Sequence, residues 1–292
     1  MSNYKVPVGL HNLVGNTNLG GFTSTELVNS QGRGKVSDSN RLSRTNDASE
    51  PSFSMPDPLK TIINKYEISK PMAKRLNVLR DYEIVIVCDD SGSMNTRDGS
   101  TQCTRWETLR YIAQIVMEIG MVFDSNGVDI HFLNAATYKN VKDSTVVDKA
   151  FARSPSGYTP LTPVLTKIFQ SNLAKVGRDK KLLVFVCTDG VPTDADGNES
   201  IPELQHVMEK VRNVSTTYVS FLICTDETET VDYLDEWDRE MENIDVTSNY
   251  ETERQKVRKY RGSRYRFTFG DYVVKALVGA IDPEIDALNE PN

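Results

Sequence analysis

The run Asp89-Asp90-Ser91-Gly92-Ser93-Met94 follows directly on an apolar, β-branched stretch at 83–88 (EIVIVC). Positions 89, 91 and 93 offer one carboxylate and two hydroxyls on alternate residues. Gly92 frees the loop to turn, so that Ser91 and Ser93 can aim at one point. Carboxylate and hydroxyl oxygens are hard ligands, suited to Mg²⁺, Mn²⁺ or Ca²⁺ and poorly suited to zinc. The same residues can also form an Asx or Ser turn that caps the next element. Two further pieces bear on the choice. Thr188-Asp189-Gly190 ends a second apolar run at 181–187 (KLLVFVC), and Gly157-Tyr158-Thr159-Pro160 precedes a helical pattern between the two runs. In a parallel α/β sheet, ligands sit outside the carboxyl ends of the strands. Three distant loops can then meet there, bringing Asp89, Ser91, Ser93, Thr159 and Asp189 together.

The elements that must position these residues are legible as a rhythm. Thr104-x-x-Glu107 is a capping-box pattern. It opens a helix whose Leu109, Ile112, Ala113, Val116, Ile119, Gly120 and Phe123 keep helical spacing. Segments 128–133 and 137–141 read as strands of a hairpin. Thr162-Pro163 reads as an N-cap followed by Pro at the first helical position, with Val164, Leu165, Ile168, Phe169 and Leu173 on the apolar face. A helix is expected over 201–212, a third long strand over 216–224, and an acidic helix striped by Val231, Leu234, Trp237 and Met241. Segment 264–269 is expected to be a final strand and 271–281 a final helix. Nearly all-apolar strands alternating with helices predict an α/β fold. The expected fold is a doubly wound, Rossmann-like, mostly parallel central sheet flanked by helices, with one antiparallel edge strand.

Around this core, residues 1–54 stand apart. Ser, Asn, Thr and Gly supply 26 of these 54 positions, without sustained periodicity. They read as a polar N-terminal arm, disordered or ordered by a partner, and dispensable for folding of the core. Residues 55–80 read as a helical lead-in, 81–281 as the domain itself, and 282–292 as a C-terminal tail.

The order DDSGSM, then GYTPL, then TDGVPTD, set on alternating strands and helices, resembles the von Willebrand factor type A (vWA) domain. The resemblance covers roughly residues 81–281. The metal-ion-dependent adhesion site (MIDAS) of that family has the pattern Asp-x-Ser-x-Ser with a distant Thr and a distant Asp. Asp89, Ser91, Ser93, Thr159 and Asp189 match it completely. The TRWETL segment and the tail FTFGDYVVKALVGAIDP are similar to those of intracellular vWA proteins, eukaryotic and viral. Tyr158 departs from the family's usual Gly-Gly-Thr, which narrows the approach without removing a ligand. The resemblance implies that Ser91, Ser93 and Thr159 contact the metal while Asp89 and Asp189 act partly through water. It implies Mg²⁺, with Mn²⁺ or Ca²⁺ admissible, and a Glu or Asp of a partner protein as the group bound. The physics agrees: two carboxylates balance one divalent charge, and the ion keeps enough electrophilicity to accept a third carboxylate from outside.

Other features bound the remaining classes. The chain has 292 residues, 38% hydrophobic and 26% charged, which supports a packed core. Its net charge of −7 opposes a wholesale grip on nucleic acid or anionic lipid. No run approaches the ~18 apolar residues of a membrane span, and no signal-peptide apolar region opens the chain. Cys88, Cys103, Cys187 and Cys224 form no CxxC pair, so free thiols and a reduced, cytoplasmic setting are expected. His131 reads as a structural histidine. Segment 192–203 (PTDADGNESIPE) mimics a calcium loop but has Pro192 where the first Asp belongs, so a polar turn is expected.

Nine acidic residues in 226–242 and seven basic ones in 254–266 read as two solvated faces in contact with each other. Tyr260 and Tyr265 among the basic residues leave open a single-stranded nucleic-acid reading. A metal-dependent hydrolase needs a general base. The spare acid is Asp90, which alternates away from the cluster, so no enzyme is expected. The leading expectation is a metal-dependent protein-binding module. The alternatives are a structural component of a larger or oligomeric assembly, viral ones included, tethered by its arm, and a nucleic-acid-associated protein using 254–266.

Overall fold

Strands that are apolar on both faces must lie inside a sheet covered by helices on either side. The computed structural model describes residues 57–99, 103–175 and 177–291. Its six strands are β1 (Tyr82–Cys88), β2 (Val128–Phe132), β3 (Tyr138–Val141), β4 (Lys181–Thr188), β5 (Thr217–Ile223) and β6 (Ile244–Thr247). They form one sheet in the order β3-β2-β1-β4-β5-β6. β1 and β4, the two most apolar runs, take the centre and pair in parallel from Tyr82↔Lys181 to Cys88↔Cys187. All pairings are parallel except β2 with β3, the antiparallel edge. The strand order reverses between β1 and β4, so a crevice opens at their carboxyl ends.

The helices are α1 (Asp57–Lys65), α2 (Lys70–Arg75), α3 (Arg105–Phe123), α4 (Thr145–Ala150), α5 (Leu161–Phe169), α6 (Ile201–His206), α7 (Asp232–Glu240), α8 (Tyr250–Arg261), α9 (Phe269–Val278) and α10 (Pro283–Asp286). The period-2 alternation of β1 divides the core between them. Ile84, Ile86 and Cys88 point to the layer of α3 and α9. Val85 and Val87 point to the layer of α5, α6 and α7. Each buried Leu, Ile or Phe contributes about 1.5–3 kcal/mol, so the two layers supply most of the folding drive. The capping box of α3 forms as expected: Thr104 Oγ1 accepts from Glu107 N at 3.1 Å, and Thr104 N donates to Glu107 Oε2 at 2.8 Å.

The lead-in and the tail pack on this same core. Leu59, Tyr66, Ala73, Leu76 and Leu79 are buried beside α3 and α9, as is Ile285 of α10. Arg75 ties the two segments, its Nη1 lying 2.6 Å from Asp282 Oδ2. The arm, 1–54, lies outside the described residues.

Two expectations need correction, and one strand was not foreseen. Segment 264–269 is not a strand. Thr268 instead caps α9, donating its N–H to Asp271 Oδ2 at 2.8 Å. The sixth strand is β6, whose four residues are too few to show a period. Helix α5 starts at Leu161 with Pro160 at its N-cap, ahead of the expected cap at Thr162, whose buried Oγ1 accepts no capping bond.

Candidate metal centre

The first loop is shaped by its own acid. Asp89 leaves the end of β1 fully buried and accepts from Ser91 N at 2.9 Å through Oδ1 and from Thr188 Oγ1 at 2.7 Å through Oδ2. Its backbone continues the sheet, donating to Cys187 O at 2.9 Å. This brings the loop beside the end of β4, where Asp189 emerges, also buried. Ser91 Oγ and Ser93 Oγ lie 3.0 Å apart, and Ser93 Oγ donates to Asp189 Oδ1 at 2.9 Å. The two carboxylates therefore face each other across two hydroxyls. Burial first, and then the charge of Asp189, pushes the Asp89 carboxyl up to about 6. Two buried carboxylates held this close lack positive charge on the side where the hydroxyls converge.

The third loop is docked on the first by its backbone. Gly92 N donates to Gly157 O at 3.0 Å, and Ser156 N to Asp90 O at 2.7 Å. Asn95 Nδ2 bonds both Gly92 O and Pro155 O, at 3.0 and 2.9 Å. Thr159 then sits at the entrance to α5, 7% exposed, in a reciprocal pair with Thr193: Thr159 N to Thr193 Oγ1 and Thr193 N to Thr159 O, both 2.9 Å. Ser91, Ser93 and Asp189 are joined by side-chain hydrogen bonds, and Asp89 joins them by accepting from the Ser91 backbone N–H. Thr159 is brought to the same sheet edge by its loop. Tyr158 beside it is 54% exposed, with its ring lying over Gly197.

Asp90 points elsewhere. Its Oδ1 accepts from Asn134 N at 2.7 Å and Asn134 Nδ2 at 3.1 Å, and its Oδ2 pairs with Arg153. Asn134 Nδ2 also reaches Tyr158 O at 2.8 Å. Asp90 is thus a buried clamp between loops, with both carboxylate oxygens engaged by Asn134 and Arg153 and none bonded to Ser91, Ser93 or Asp189.

Sequence reasoning missed the cation of the site. Arg105, the first residue of α3, is buried and places Nη1 2.9 Å from Asp189 Oδ2 and Nη2 3.0 Å from Glu227 Oε1. A pairing 84 residues apart has no local signature. The one available signal was a charged residue directly after a helix cap, where a solvated side chain is the ordinary outcome. Asn134 and Arg153 were missed for the same reason.

No family model and no curated protein matches this sequence. Among solved structures, the pilus adhesin SpaC of Lactobacillus rhamnosus GG is similar at 13% identity, covering 72% of this chain and 31% of the adhesin with a TM-score of 0.39. Its open conformation gives 13% identity, 71% and 30% coverage, and a TM-score of 0.37. The chain spans less than a third of the adhesin's length. A likeness of this degree assigns neither activity nor ligand.

The remaining sequence features resolve locally. In 192–203, Asp194 accepts from Asp196 N, Asn198 N and Asn198 Nδ2 at 2.9, 2.8 and 3.0 Å, so its oxygens close a turn. The basic segment forms α8 and the following loop, and Lys256 Nζ lies 3.6 Å from Asp235 Oδ1 of the acidic α7. All four cysteines are buried and free. No helix among the described residues is long and apolar enough to cross a membrane. A second carboxylate group, Asp238, Asp245 and Asp286, lies by β6, where Lys275 Nζ already pairs with Asp245 Oδ1 at 2.6 Å.

Proposed function

We propose that this chain is a non-enzymatic, divalent-metal-dependent protein-binding module of the vWA type, with Mg²⁺ held in a MIDAS. Ser91, Ser93 and Thr159 would contact the ion, and Asp89 and Asp189 would serve it in part through water. The observation that carries the reading is the continuous chain Ser91–Ser93–Asp189 beside buried Asp89, at the carboxyl ends of the two central strands. The donor set is all oxygen, with two carboxylates for one divalent charge, as a hard cation requires. When bound, the ion supplies a Lewis-acidic position for one carboxylate from a partner. Asp90, the spare acid of the motif, is tied back into the fold by Asn134 and Arg153, which favours binding over hydrolysis. Exposed Tyr158 offers the partner an apolar contact next to Thr159.

The test is titration calorimetry of the full chain with Mg²⁺ and Mn²⁺, then capture of partners with and without chelator. The expected result is one ion per chain, lost in Asp89→Ala and in Asp189→Ala while the thermal transition persists. Partner capture should depend on the ion and on a Glu or Asp of the partner. A wild-type protein that binds no divalent ion would sink the reading.

A further inference from the structure

Arg105 carries more than a single ion pair. Its side chain is 5% exposed, and its guanidinium is spread over three carboxylates. Nη1 takes Asp189 Oδ2 at 2.9 Å, Nη2 takes Glu227 Oε1 at 3.0 Å, and Nε lies 3.5 Å from Asp98 Oδ1. Asp98 is itself 7% exposed, so the cage has two buried walls and one open one, Glu227 at 59%.

The consequence lies on the far side of Asp189. Its Oδ1 accepts from Ser93 Oγ at 2.9 Å, so its two oxygens are held by different groups in opposite directions. Asp89 is held the same way, by Ser91 N and Thr188 Oγ1. Each oxygen keeps one lone pair for an ion, but fixed partners on both oxygens disfavour the rotation that would bring both onto one ion. Ca²⁺ takes about six to eight oxygens and favours bidentate carboxylates, whereas Mg²⁺ accepts about six single oxygens at short range and keeps waters among them. The guanidinium also neutralises charge among Asp98, Asp189 and Glu227.

We propose that Arg105 is a positioning residue that holds Asp189 in one-oxygen presentation, and that it thereby sets the centre to prefer Mg²⁺ over Ca²⁺. The inference rests on the metal-binding reading above. Arg105 acts through Asp189 and touches neither ion nor partner.

The experiment is calorimetric titration of the full chain with Mg²⁺ and, separately, Ca²⁺, for wild type, Arg105→Gln and Arg105→Lys, with thermal midpoints recorded in parallel. Removing a group that orients a metal ligand typically costs about 10–100-fold in affinity. Arg105→Gln should therefore lose about tenfold for Mg²⁺ and gain for Ca²⁺, so that the ratio of the two collapses. Arg105→Lys keeps the charge without the planar fork, and should fall between the other two. If Arg105→Gln fails to fold, the ratio in Arg105→Lys decides. A wild type that binds neither ion overturns the metal reading and this inference with it. A wild type that binds Mg²⁺, with a Mg²⁺-to-Ca²⁺ ratio unchanged in the folded variants, overturns the inference alone. A lowered midpoint at constant ratio likewise overturns it, since that marks a purely structural ion pair.

Discussion

Adjacent aspartates at the end of β1 have opposite duties, and their hydrogen bonds decide which is which. Asp89 is bonded within its own loop and to Thr188, and faces Asp189. Asp90 is bonded to Asn134 and Arg153, and joins the loops that carry the site. Its removal orphans a backbone N–H and a guanidinium, at a cost of about 2–3 kcal/mol once the partial exposure of Arg153 is allowed for. Asp90→Ala should thus lower the urea midpoint clearly. Ser91→Ala deletes only a small hydroxyl and should cost about 1 kcal/mol or less. Divalent-ion affinity should show the reverse order, with Ser91→Ala weakening it more per kcal/mol of stability lost. Equal stabilities for the two variants would mean that the clamp assigned to Asp90 does nothing.

At the scale of elements, the site depends on how the third loop is set down on the first. Gly157 has φ +102°, and a Cβ there would lie 2.6 Å from Asn134 Oδ1, the side chain that links Asp90 to Tyr158. Gly157→Ala should lose about 1–3 kcal/mol through backbone strain and displacement of Asn134, and should weaken ion binding by moving Thr159. Gly177 is the control: its φ is +86° with nothing near a Cβ, so Gly177→Ala carries similar strain and should leave ion binding alone. Matching ion affinities in the two variants would show that the loop does not position the centre.

The three loops that meet at the candidate site were legible in sequence because each follows an apolar run or precedes a helix, and strand order does the rest. What was not legible is equally specific. β6 is four residues long, whereas Arg264 to Phe269 alternates better and joins no strand of the sheet. The pairings of Arg105 with Asp189 and of Asn134 and Arg153 with Asp90 span 84, 44 and 63 residues in sequence, beyond any local pattern.

Among the described residues, buried charge clusters both at the candidate site and by the edge strand β6. At the second, Lys275 and Asp245 are both fully buried and 2.6 Å apart, and Thr247 Oγ1 donates to Asp245 Oδ2 at 2.8 Å. Asp238 and Asp286 complete a group of three carboxylates facing one ammonium. Burial first, and then the Asp245 charge, pushes Asp238 and Asp286 up to about 8. The native cluster therefore keeps protons that the unfolded chain releases near the ordinary carboxylate range, about 4. The sign follows from proton uptake on folding. Stability from these groups is fully present below about pH 4 and is lost as pH rises through about 8. Asp286→Asn holds the neutral form at every pH. Relative to wild type, it should gain stability from pH 5 to about pH 8 and level off above that, by at most about 1.4 kcal/mol per pH unit, and by less because Asp286 has some access to solvent. The measurement is the thermal midpoint of both proteins across that range with no divalent ion present, so that the metal centre contributes no ion-binding term. Parallel profiles would mean that the cluster is ionised throughout, with Lys275 and solvent carrying the whole charge.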